Sequence, residues 1–455
     1  MVFNSRIMKL GFVNAGRSRL RKKVDDFLSR TAPRSCERGY ESPSSTLTRL
    51  RFLGVLASVG IFLASLAPAA EPPAWRSGVA TAVITPTRPM PMSGYAARKA
   101  PAADKDQDLF GKALAIEDSG GNRVVFITLD LIGVIEPLRT AVEKQVAEKY
   151  NVPPHALVMN ASHTHCGPAY GRNDAKDYFD ELVGKLVGIV GEAVNGLEPA
   201  RISYAHAKCG FAMNRRTPTA DGYRNHPNPG GVVDHTVPVL RVDAADGKLR
   251  AVMFGYACHN TSVGYLKWLG DYAGFAQEFF EKDHPGVTAL FLMGCGGDQN
   301  PYPRGTAEYA ARHGRSLATA VEAALEVTQR TLRHQNALEG PIKTVMETVD
   351  LEFRPADRDD FTYPVQLVQF GKDLTIVTLG NEVTVDYSLR LKRELNGNSK
   401  PTLWVAGYSN VYSGYIPSKR VLLEGGYEAR SRPWKPELEE RIVGKVHELY
   451  ERLNP

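Results

Sequence analysis

Cysteine is scarce in this chain, which has five among 455 residues. No two of them show the Cys-x-x-Cys spacing, which excludes a zinc knuckle built from cysteine pairs. Three of them lie within a few residues of the motifs described below, where a small buried side chain is the ordinary role for cysteine. The five are Cys36, Cys166, Cys209, Cys258 and Cys295.

An apolar run long enough to cross a bilayer is also lacking. The uncharged stretch Phe52–Leu66 covers about 15 residues, whereas a spanning helix needs roughly 20. Arg49 and Arg51 precede it and an Ala-rich segment, 67–70, follows, as in a secretory signal peptide with a cleavage site at its end. We therefore expect export to the periplasm or the cell exterior, with an uncleaved anchor as the alternative.

A strong charge of one sign is missing from most of the chain. The net charge is +6, but residues 1–70 hold 12 Lys/Arg against 4 Asp/Glu, so the remainder carries −2. Composition therefore offers no argument for nucleic acid as a partner. Residues 1–48 are polar and rich in Arg and Ser, and we interpret them as an atypical N-terminal extension before a signal peptide at 49–70. Composition does not indicate the oligomeric state.

From residue 74 onward, apolar strands alternate with amphipathic helices. Strands predicted at Leu249–Tyr256 and Val287–Met293, for example, flank a helix at Tyr272–Lys282. This order favours an α/β fold with a mixed sheet, as one catalytic domain over 74–455. The segment Met213–Val232, rich in Arg, Pro, Asn and Gly, is predicted to be an irregular loop that lies over a site.

Two histidines follow one of the predicted strands. The apolar run Ala156–Met159 leads to His163 and His165, and Gly167-Pro168 ends the extended segment. Side chains at i and i+2 lie on the same face of a strand, and α/β proteins place their chemistry at strand ends. Because imidazole is the commonest metal ligand, a metal site is the functional interpretation. Two solvated loop histidines are the structural alternative.

Four further segments place polar side chains after predicted strands or in a nearby loop. His259 follows an apolar strand, Asp298 follows a glycine pair, Glu382 begins a predicted helix, and several tyrosines occupy the loop 408–415. Each has an ordinary explanation by itself: a core histidine, a glycine turn, a carboxylate at a helix N-terminus, or aromatic packing. None of these segments indicates a function alone.

Taken in order, the segments SHTHCGP, ACHNTS, GGDQNP, GNEVT and NVYSGYIPSKRVLLEGGYEA resemble the N-terminal catalytic domain of the neutral/alkaline non-lysosomal ceramidases. The segments Ile84-Thr85-Pro86, Met90–Tyr95, Leu129-Asp130-Leu131 and Asn214-Arg215-Arg216 are also similar to that family. The resemblance extends from about Gly78 to the C-terminus. It implies the fold of that catalytic domain, in a short bacterial-type member without the family's C-terminal immunoglobulin-like domain.

The resemblance also implies a zinc site and the roles around it. One Zn²⁺ per chain would be held by His163, His259, Glu382 and Tyr415. His165 would be a base or a supporting group beside the metal, Tyr427 would hold the carbonyl oxygen, and Arg215 would contact the substrate. Nitrogen and oxygen ligands with one open position suit a zinc ion that lowers the pKa of its water toward neutrality. A phenol or imidazolium group directed at the oxyanion would add stabilisation.

One position departs from the family's pattern. The signature Gly-Asp-x-Ser-Pro-Asn is here Gly297-Asp298-Gln299-Asn300-Pro301-Tyr302, so Asn300 replaces a serine. An amide can orient water or donate to an oxyanion, but it cannot act as a nucleophile. Asp298 and Asn300 are therefore counted with His165 and Tyr427 as catalytic candidates.

The resulting hypothesis is an exported zinc hydrolase that cleaves the amide of ceramide or of a related N-acyl compound. Its partners would be a small-molecule or lipid amide and a membrane surface. The alternatives are a zinc-binding or lipid-binding family member without amidase activity, and a hydrolase of another bond such as an ester.

Overall fold

The computed structural model describes residues 75–330, 337–354, 360–396 and 403–455. The predicted extension at 1–48, the predicted signal peptide at 49–70 and Cys36 lie outside these residues. Within the described part of the chain, no helix combines the length and the apolar character needed to cross a membrane.

The strands of the described residues form five sheets. In chain order they are β1 Trp75–Val83, β2 Asp104–Lys105, β3 Phe110–Asp118, β4 Arg123–Leu129, β5 Leu157–Ala161, β6 Glu198–Lys208, β7 Ala212–Thr219, β8 Gly222–Asn228, β9 Thr236–Ala244, β10 Leu249–Tyr256, β11 Lys267–Trp268, β12 Thr288–Met293, β13 Gln299–Pro301, β14 Ile342–Leu351, β15 Phe361–Phe370, β16 Leu374–Leu379, β17 Glu382–Val383, β18 Leu403–Ala406 and β19 Tyr415–Ile416.

The α-helices of the same residues connect these strands or cover the sheets. They are α1 Glu136–Tyr150, α2 Lys176–Asn195, α3 Asp271–Asp283, α4 Ala307–Arg330, α5 Val385–Leu395, α6 Lys419–Glu424, α7 Tyr427–Arg430 and α8 Leu438–Leu453. Short 3₁₀ turns at Pro154–Ala156 and Asn173–Ala175 precede β5 and α2.

The largest sheet has eight strands in the order β12-β10-β9-β6-β1-β3-β4-β5. Its central neighbours are antiparallel, whereas β10 with β12 and β4 with β5 are parallel pairs at the two ends. The predicted α/β architecture with a mixed sheet is therefore confirmed. Strands buried on both faces are continuously apolar, which is why a period-of-two pattern is weak in several of them.

A second sheet, β14-β15-β16-β18, packs on one face of the eight-stranded sheet. Leu114 of β3 contributes to this shared core, together with Val368 and Trp404 from the second sheet. The adjacent Ala113 faces the opposite core, which contains side chains of α1 and α2. Helices α5 and α8 cover the other side of the second sheet. The order of the layers is thus helix, sheet, sheet and helix. Successive side chains of β3 point to opposite faces of the sheet, so Ala113 packs against the helices and Leu114 packs between the two sheets.

The two ends of the eight-stranded sheet are linked by the side chain of Asn160 in β5. Its Oδ1 accepts from the N–H of Met293 in β12 at 2.8 Å, and its Nδ2 donates to the carbonyl of Gly407, just after β18, at 2.7 Å. Asn160 is fully buried. The carboxyl ends of β5, β12 and β18 therefore meet at one place, and this place carries the candidate site.

The prediction of an irregular loop at Met213–Val232 was wrong. This segment contains the hairpin β7–β8, which joins β13 in a three-stranded sheet. The edge of β7 pairs with Gln299–Pro301, far along the chain. Local composition did not predict this pairing with a distant segment, which adds to the pairing of β7 with β8.

The predicted helix start at Glu382 was also wrong. Glu382 lies in β17, whose partner is Tyr415 of β19, and α5 begins at Val385. The Val385 N–H donates to the carboxylate of Asp298 at 2.9 Å, which satisfies one of the donors at the start of the helix.

Candidate metal centre

The four predicted ligands approach one another from separate parts of the fold. His163 follows β5, and His259 follows β10. Glu382 and Tyr415 are direct neighbours in the parallel pairing of β17 with β19. Strand ends and one short strand pair thus deliver the four side chains.

The distances between these groups are those of a compact cluster. The Oε2 atom of Glu382 lies 3.1 Å from His259 Nε2 and 3.3 Å from His163 Nε2. His165 Nε2 lies 3.1 Å from His163 Nε2, and the Tyr415 hydroxyl lies 3.4 Å from His259 Nε2. A ring nitrogen from each of His163, His165 and His259 lies within 4.8 Å of the others. The structure therefore brings the predicted ligands and His165 together.

Backbone carbonyl groups orient two of the imidazole rings. His163 Nδ1 lies 2.6 Å from the carbonyl oxygen of Ile132, and His259 Nδ1 lies 2.7 Å from that of Gly296. Because a carbonyl only accepts, each Nδ1 carries the proton and donates it. The Nε2 atoms are left as lone-pair donors directed at the centre of the cluster, as in histidines that bind metals.

The charge states of the cluster follow from its burial. Burial, with the neighbouring Arg215, lowers the pKa of His259 to about 3. Burial, with His163 and His259 beside it, lowers the pKa of His165 well below its ordinary value. Burial by itself raises the pKa of Glu382, but His163 and His259 hold it well below its usual range. The imidazoles of His165 and His259 are therefore neutral, and the carboxylate of Glu382 is ionised.

This donor set fits a zinc ion. The Nε2 lone pairs of His163 and His259 point at a carboxylate oxygen of Glu382, and the two lone pairs and this oxygen repel one another. A cation bound among these three atoms would relieve that repulsion. Neutral imidazole, carboxylate and phenol are nitrogen and oxygen ligands of the type that Zn²⁺ takes in catalytic sites. His163, His259, Glu382 and Tyr415 would hold the ion, as the sequence predicts.

Strained backbone surrounds the cluster. His163, Asn381, Tyr408 and Asn410 have φ angles of 64°, 65°, 51° and 63°. Such left-handed conformations are uncommon for residues other than glycine, although Asn and His tolerate them better than most, and they concentrate at functional sites. Local sequence patterns gave no sign of this strain.

The predicted substrate residues form one side of the site. Arg215 donates through Nη2 to the Tyr415 hydroxyl at 2.9 Å and through Nη1 to Asn300 Oδ1 at 3.2 Å. Because arginine only donates, the amide oxygen of Asn300 must face Arg215, and Thr261 donates to the same oxygen at 3.3 Å. The ring of Tyr427 lies 5.5 Å from that of Tyr415 and is 57% exposed, so it reaches the surface beside the site.

Asp298 lies beneath this side of the site. Its carboxylate accepts from Val385 N–H and, at 3.2 Å, from Asn214 Nδ2, while its backbone oxygen accepts from Arg215 N–H at 2.9 Å. Burial raises the pKa of this carboxyl to about 7. These contacts suit a residue that supports Arg215 and the start of α5. Its direct catalytic role stays a prediction.

Three further residues belong to the site but were not singled out in the sequence. The Tyr412 hydroxyl donates to Glu382 Oε1 at 3.1 Å, the ring of Tyr95 packs 4.8 Å from that of His165, and Glu428 pairs with Arg215. The abundance of tyrosine in the loop 408–415 was a signal for Tyr412, although it did not distinguish that residue from its neighbours. Tyr95 and Glu428 both stand in segments that resemble the family, but nothing in those segments assigns either residue a role.

Comparison with known families and proteins agrees with the motif pattern. Residues 75–301 match the model of the family described as neutral/alkaline non-lysosomal ceramidase, N-terminal. Neutral ceramidases A and B of Dictyostelium discoideum are 26% and 27% identical to this chain over 223 and 222 residues, which cover 43% of this chain and 31% of each relative. Neutral ceramidase of Drosophila pseudoobscura pseudoobscura is 25% identical over 258 residues, 52% of this chain and 36% of that protein. The chain thus spans about a third of the length of these curated relatives.

Solved structures show the same fold. Neutral ceramidase from Pseudomonas aeruginosa superposes with a TM-score of 0.70 at 18% identity, over 84% of this chain and 75% of that one. A ceramidase complexed with C2 gives a TM-score of 0.69 at 18% identity, over 84% and 76% of the two chains. With the family match and the ordered motifs, these findings lead to one conclusion: this chain belongs to the neutral/alkaline non-lysosomal ceramidase family.

Proposed function

We propose that this chain is a zinc-dependent amidohydrolase that acts on ceramide or a related N-acyl lipid. The observation that supports this most is the convergence of four side chains: Glu382 lies within 3.3 Å of both His163 and His259, and the Tyr415 hydroxyl lies 3.4 Å from His259. Zinc bound there would act as a Lewis acid and make its water acidic enough to attack an amide at neutral pH.

The residues around the cluster would carry the remaining steps. His165 is neutral, lies beside His163, and has an Nδ1 atom without a hydrogen-bond partner among the described residues. It would accept a proton from the attacking water and return one to the leaving amine. Arg215 and Tyr427 would face the carbonyl oxygen, where a cation and a phenol stabilise the developing negative charge. Asn300 cannot form an acyl-enzyme, so in this proposal water attacks the amide directly.

Exposed apolar side chains near the site support a lipid substrate. Among the described residues, Leu423 is 79% exposed and Tyr427 57%, in the two short helices that follow Tyr415. Val232 is exposed next to Asn214, which donates to its carbonyl, and Leu266 is exposed two residues after Gly264, which lies against Tyr95. Exposed apolar groups beside a polar site suit a substrate with a hydrocarbon chain, taken up from a membrane surface.

The presence of Asn300 in place of serine favours two competing functions. Asn300 is 2% exposed, and its amide oxygen is occupied by Arg215 and Thr261. A chain with this arrangement could bind zinc and lipid without cleaving an amide, or cleave a more reactive bond such as an ester by the same water. Assays on matched amides and esters distinguish these functions.

The test of the proposal begins with the metal. Purified protein is expected to hold one zinc per chain, and the double variant His163→Ala/His259→Ala is expected to hold none. Stoichiometric zinc in the double variant would rule out this site.

Fatty-acid release is then measured with short-chain N-acyl sphingosines, simple N-acyl amides and the corresponding esters. We expect release from the N-acyl sphingosines, and its loss in Glu382→Gln and on removal of zinc. Zinc-loaded protein that cleaves only esters, or nothing, would contradict the amidase proposal.

We also propose that the protein is exported. The support is the segment 49–70, with its basic flank, apolar core and Ala-rich end. N-terminal sequencing of the protein recovered from outside the cytoplasm tests this. A chain found only in the cytoplasm, with its leader intact, would refute it.

A further inference from the structure

A buried carboxylate, that of Glu428, joins two arginines beside the candidate site. Its Oε1 accepts from Arg215 Nε at 2.9 Å, and its Oε2 accepts from Arg216 Nη1 at 2.5 Å. The three side chains are at most 4% exposed. Burial by itself raises the pKa of Glu428, but the two guanidinium groups hold it below its usual range, so the carboxylate is ionised.

The two arginines are consecutive residues of β7. In a regular strand their side chains would point to opposite faces. Here the pairing of β7 with β8 shifts register between Asn214 and Arg216. Asn214 Oδ1 also accepts from the Arg216 N–H at 2.8 Å. This irregular backbone allows Arg215 and Arg216 to reach the same carboxylate.

Arg215 connects Glu428 to the site. A guanidinium group is planar and rigid, so a fixed Nε sets the directions of Nη1 and Nη2. Glu428 holds Nε, and the other two nitrogens donate to Asn300 and to the Tyr415 hydroxyl. The carboxylate thus fixes the orientation of a group that contacts a predicted zinc ligand and the residue that replaces the family's serine.

Arg216 holds the carboxylate from the other side. Its Nη2 donates to Glu424 Oε2 at 3.0 Å and to the Gly425 carbonyl at 2.8 Å. Within the described residues, the Arg216 side chain thus contacts α6, α7, the Gly425 carbonyl between them and the ring of Tyr223, and it makes no hydrogen bond to the histidine cluster. Glu424 and Glu428 therefore both neutralise Arg216, while Glu428 alone of the two also contacts Arg215.

We propose that Glu428 is a positioning residue for hydrolysis, which holds the Arg215 guanidinium between Tyr415 and Asn300 so that it meets the substrate carbonyl. This inference rests on the proposed function. Stability alone does not account for the arrangement, since a buried ion pair is often no more stabilising than apolar residues of the same volume.

The pair Glu428→Gln and Glu424→Gln tests this role. Both variants remove one carboxylate from Arg216, but only E428Q removes the partner of Arg215. We expect E428Q to lower kcat about 10- to 100-fold with KM within about twofold, because a small displacement of an aligned group is costly in the transition state. E424Q is expected to keep kcat within about twofold. Equal losses of kcat in the two variants would overturn the proposal.

An Arg215→Ala background supplies the second measurement. If Glu428 acts through Arg215, E428Q causes no further loss of kcat when Arg215 is absent. Additive losses would mean that Glu428 acts through general stability or another contact. If E428Q does not fold, Glu428→Asp replaces it in these comparisons. This variant keeps the charge but is one methylene shorter, and the same outcomes are expected for it.

A crystal structure of the zinc-loaded E428Q variant tests the positioning role of Glu428 independently of the proposed function. The wild-type assay shows whether the protein hydrolyses an amide at all, and the structure requires no turnover. We expect the guanidinium of Arg215 to leave the Tyr415 hydroxyl in the variant. An unmoved Arg215 would overturn the positioning role even if the wild-type protein is an active amidase.

Discussion

At the scale of single residues, the orientation of each candidate ligand depends on the side chains that contact it. Each oxygen of Glu382 has a different partner: Oε2 lies near His163 and His259, while Oε1 accepts from Tyr412. Tyr412 thus orients the carboxylate in the way that hydrogen-bonded outer groups orient metal ligands in proteins. Tyr408, four residues earlier, packs its ring 4.6 Å from that of His163, but its hydroxyl has no partner among the described residues.

We expect Tyr412→Phe to weaken zinc binding about 10- to 100-fold, because it removes the hydrogen bond that fixes Glu382. Competition with a chelator of known affinity measures the effect. Tyr408→Phe is the matched control, since it keeps the ring and removes a hydroxyl without a partner. Its zinc affinity should equal that of the wild type, and its free energy of unfolding should not fall. Equal weakening in both variants would contradict the role of Tyr412.

At the scale of elements, the site depends on strands that meet without pairing along their length. Asn160 joins β5 to β12 and to the segment after β18, and its Nδ2 also lies 3.0 Å from the Ser409 hydroxyl. One side chain thus satisfies backbone groups at ends of strands from both large sheets. The same strand ends lead into His163 and into the loop that carries Tyr412 and Tyr415.

Asn160→Ala should lower the free energy of unfolding by about 3 kcal/mol, because it leaves the buried N–H of Met293 without its partner and removes one of the two side-chain donors to the carbonyl of Gly407. Urea denaturation of the zinc-free protein measures this. Asn225→Ala, at an exposed position of β8, should change the same free energy by less than about 0.5 kcal/mol. A cost for N160A as small as that of the control would show that Asn160 does not hold the strand ends together.

At the scale of the described domain, a metal would connect distant parts of the chain. His163, His259, Glu382 and Tyr415 follow or belong to β5, β10, β17 and β19, which lie in two different sheets. A ligand that binds only the folded state stabilises it according to its concentration relative to Kd. The cluster therefore predicts a protein whose thermal stability depends on zinc.

Removal of zinc by a chelator should lower Tm by several degrees, since saturation at about 1,000 times Kd contributes about 4 kcal/mol. Differential scanning calorimetry with and without added zinc measures the shift. The variant His163→Ala/His259→Ala should unfold at the same temperature in both conditions. A zinc-dependent shift that persists in this variant would place the stabilising metal elsewhere.

Local sequence was sufficient for most of the elements and for the candidate ligands. The strand Leu249–Tyr256 occurs as predicted and the strand predicted at Val287–Met293 begins one residue later, because burial of a continuous strand requires such apolar runs. His163, His259, Glu382 and Tyr415 each stand in a short motif, and the order of the motifs indicated the family. The sequence by itself therefore determined the α/β class and a set of candidate ligands for one metal.

Other features were decided by contacts between residues far apart in the chain. The hairpin β7–β8 depends on pairing with β13, and Arg215 depends on Glu428, 213 residues away. The φ of 64° at His163 and the hydrogen bond from Tyr412 to Glu382 leave no periodic pattern either. Periodicity reports which side of an element is buried, but it contains no information about which distant group lies opposite. Tertiary structure alone therefore decided how the ligands are oriented and which charges surround them.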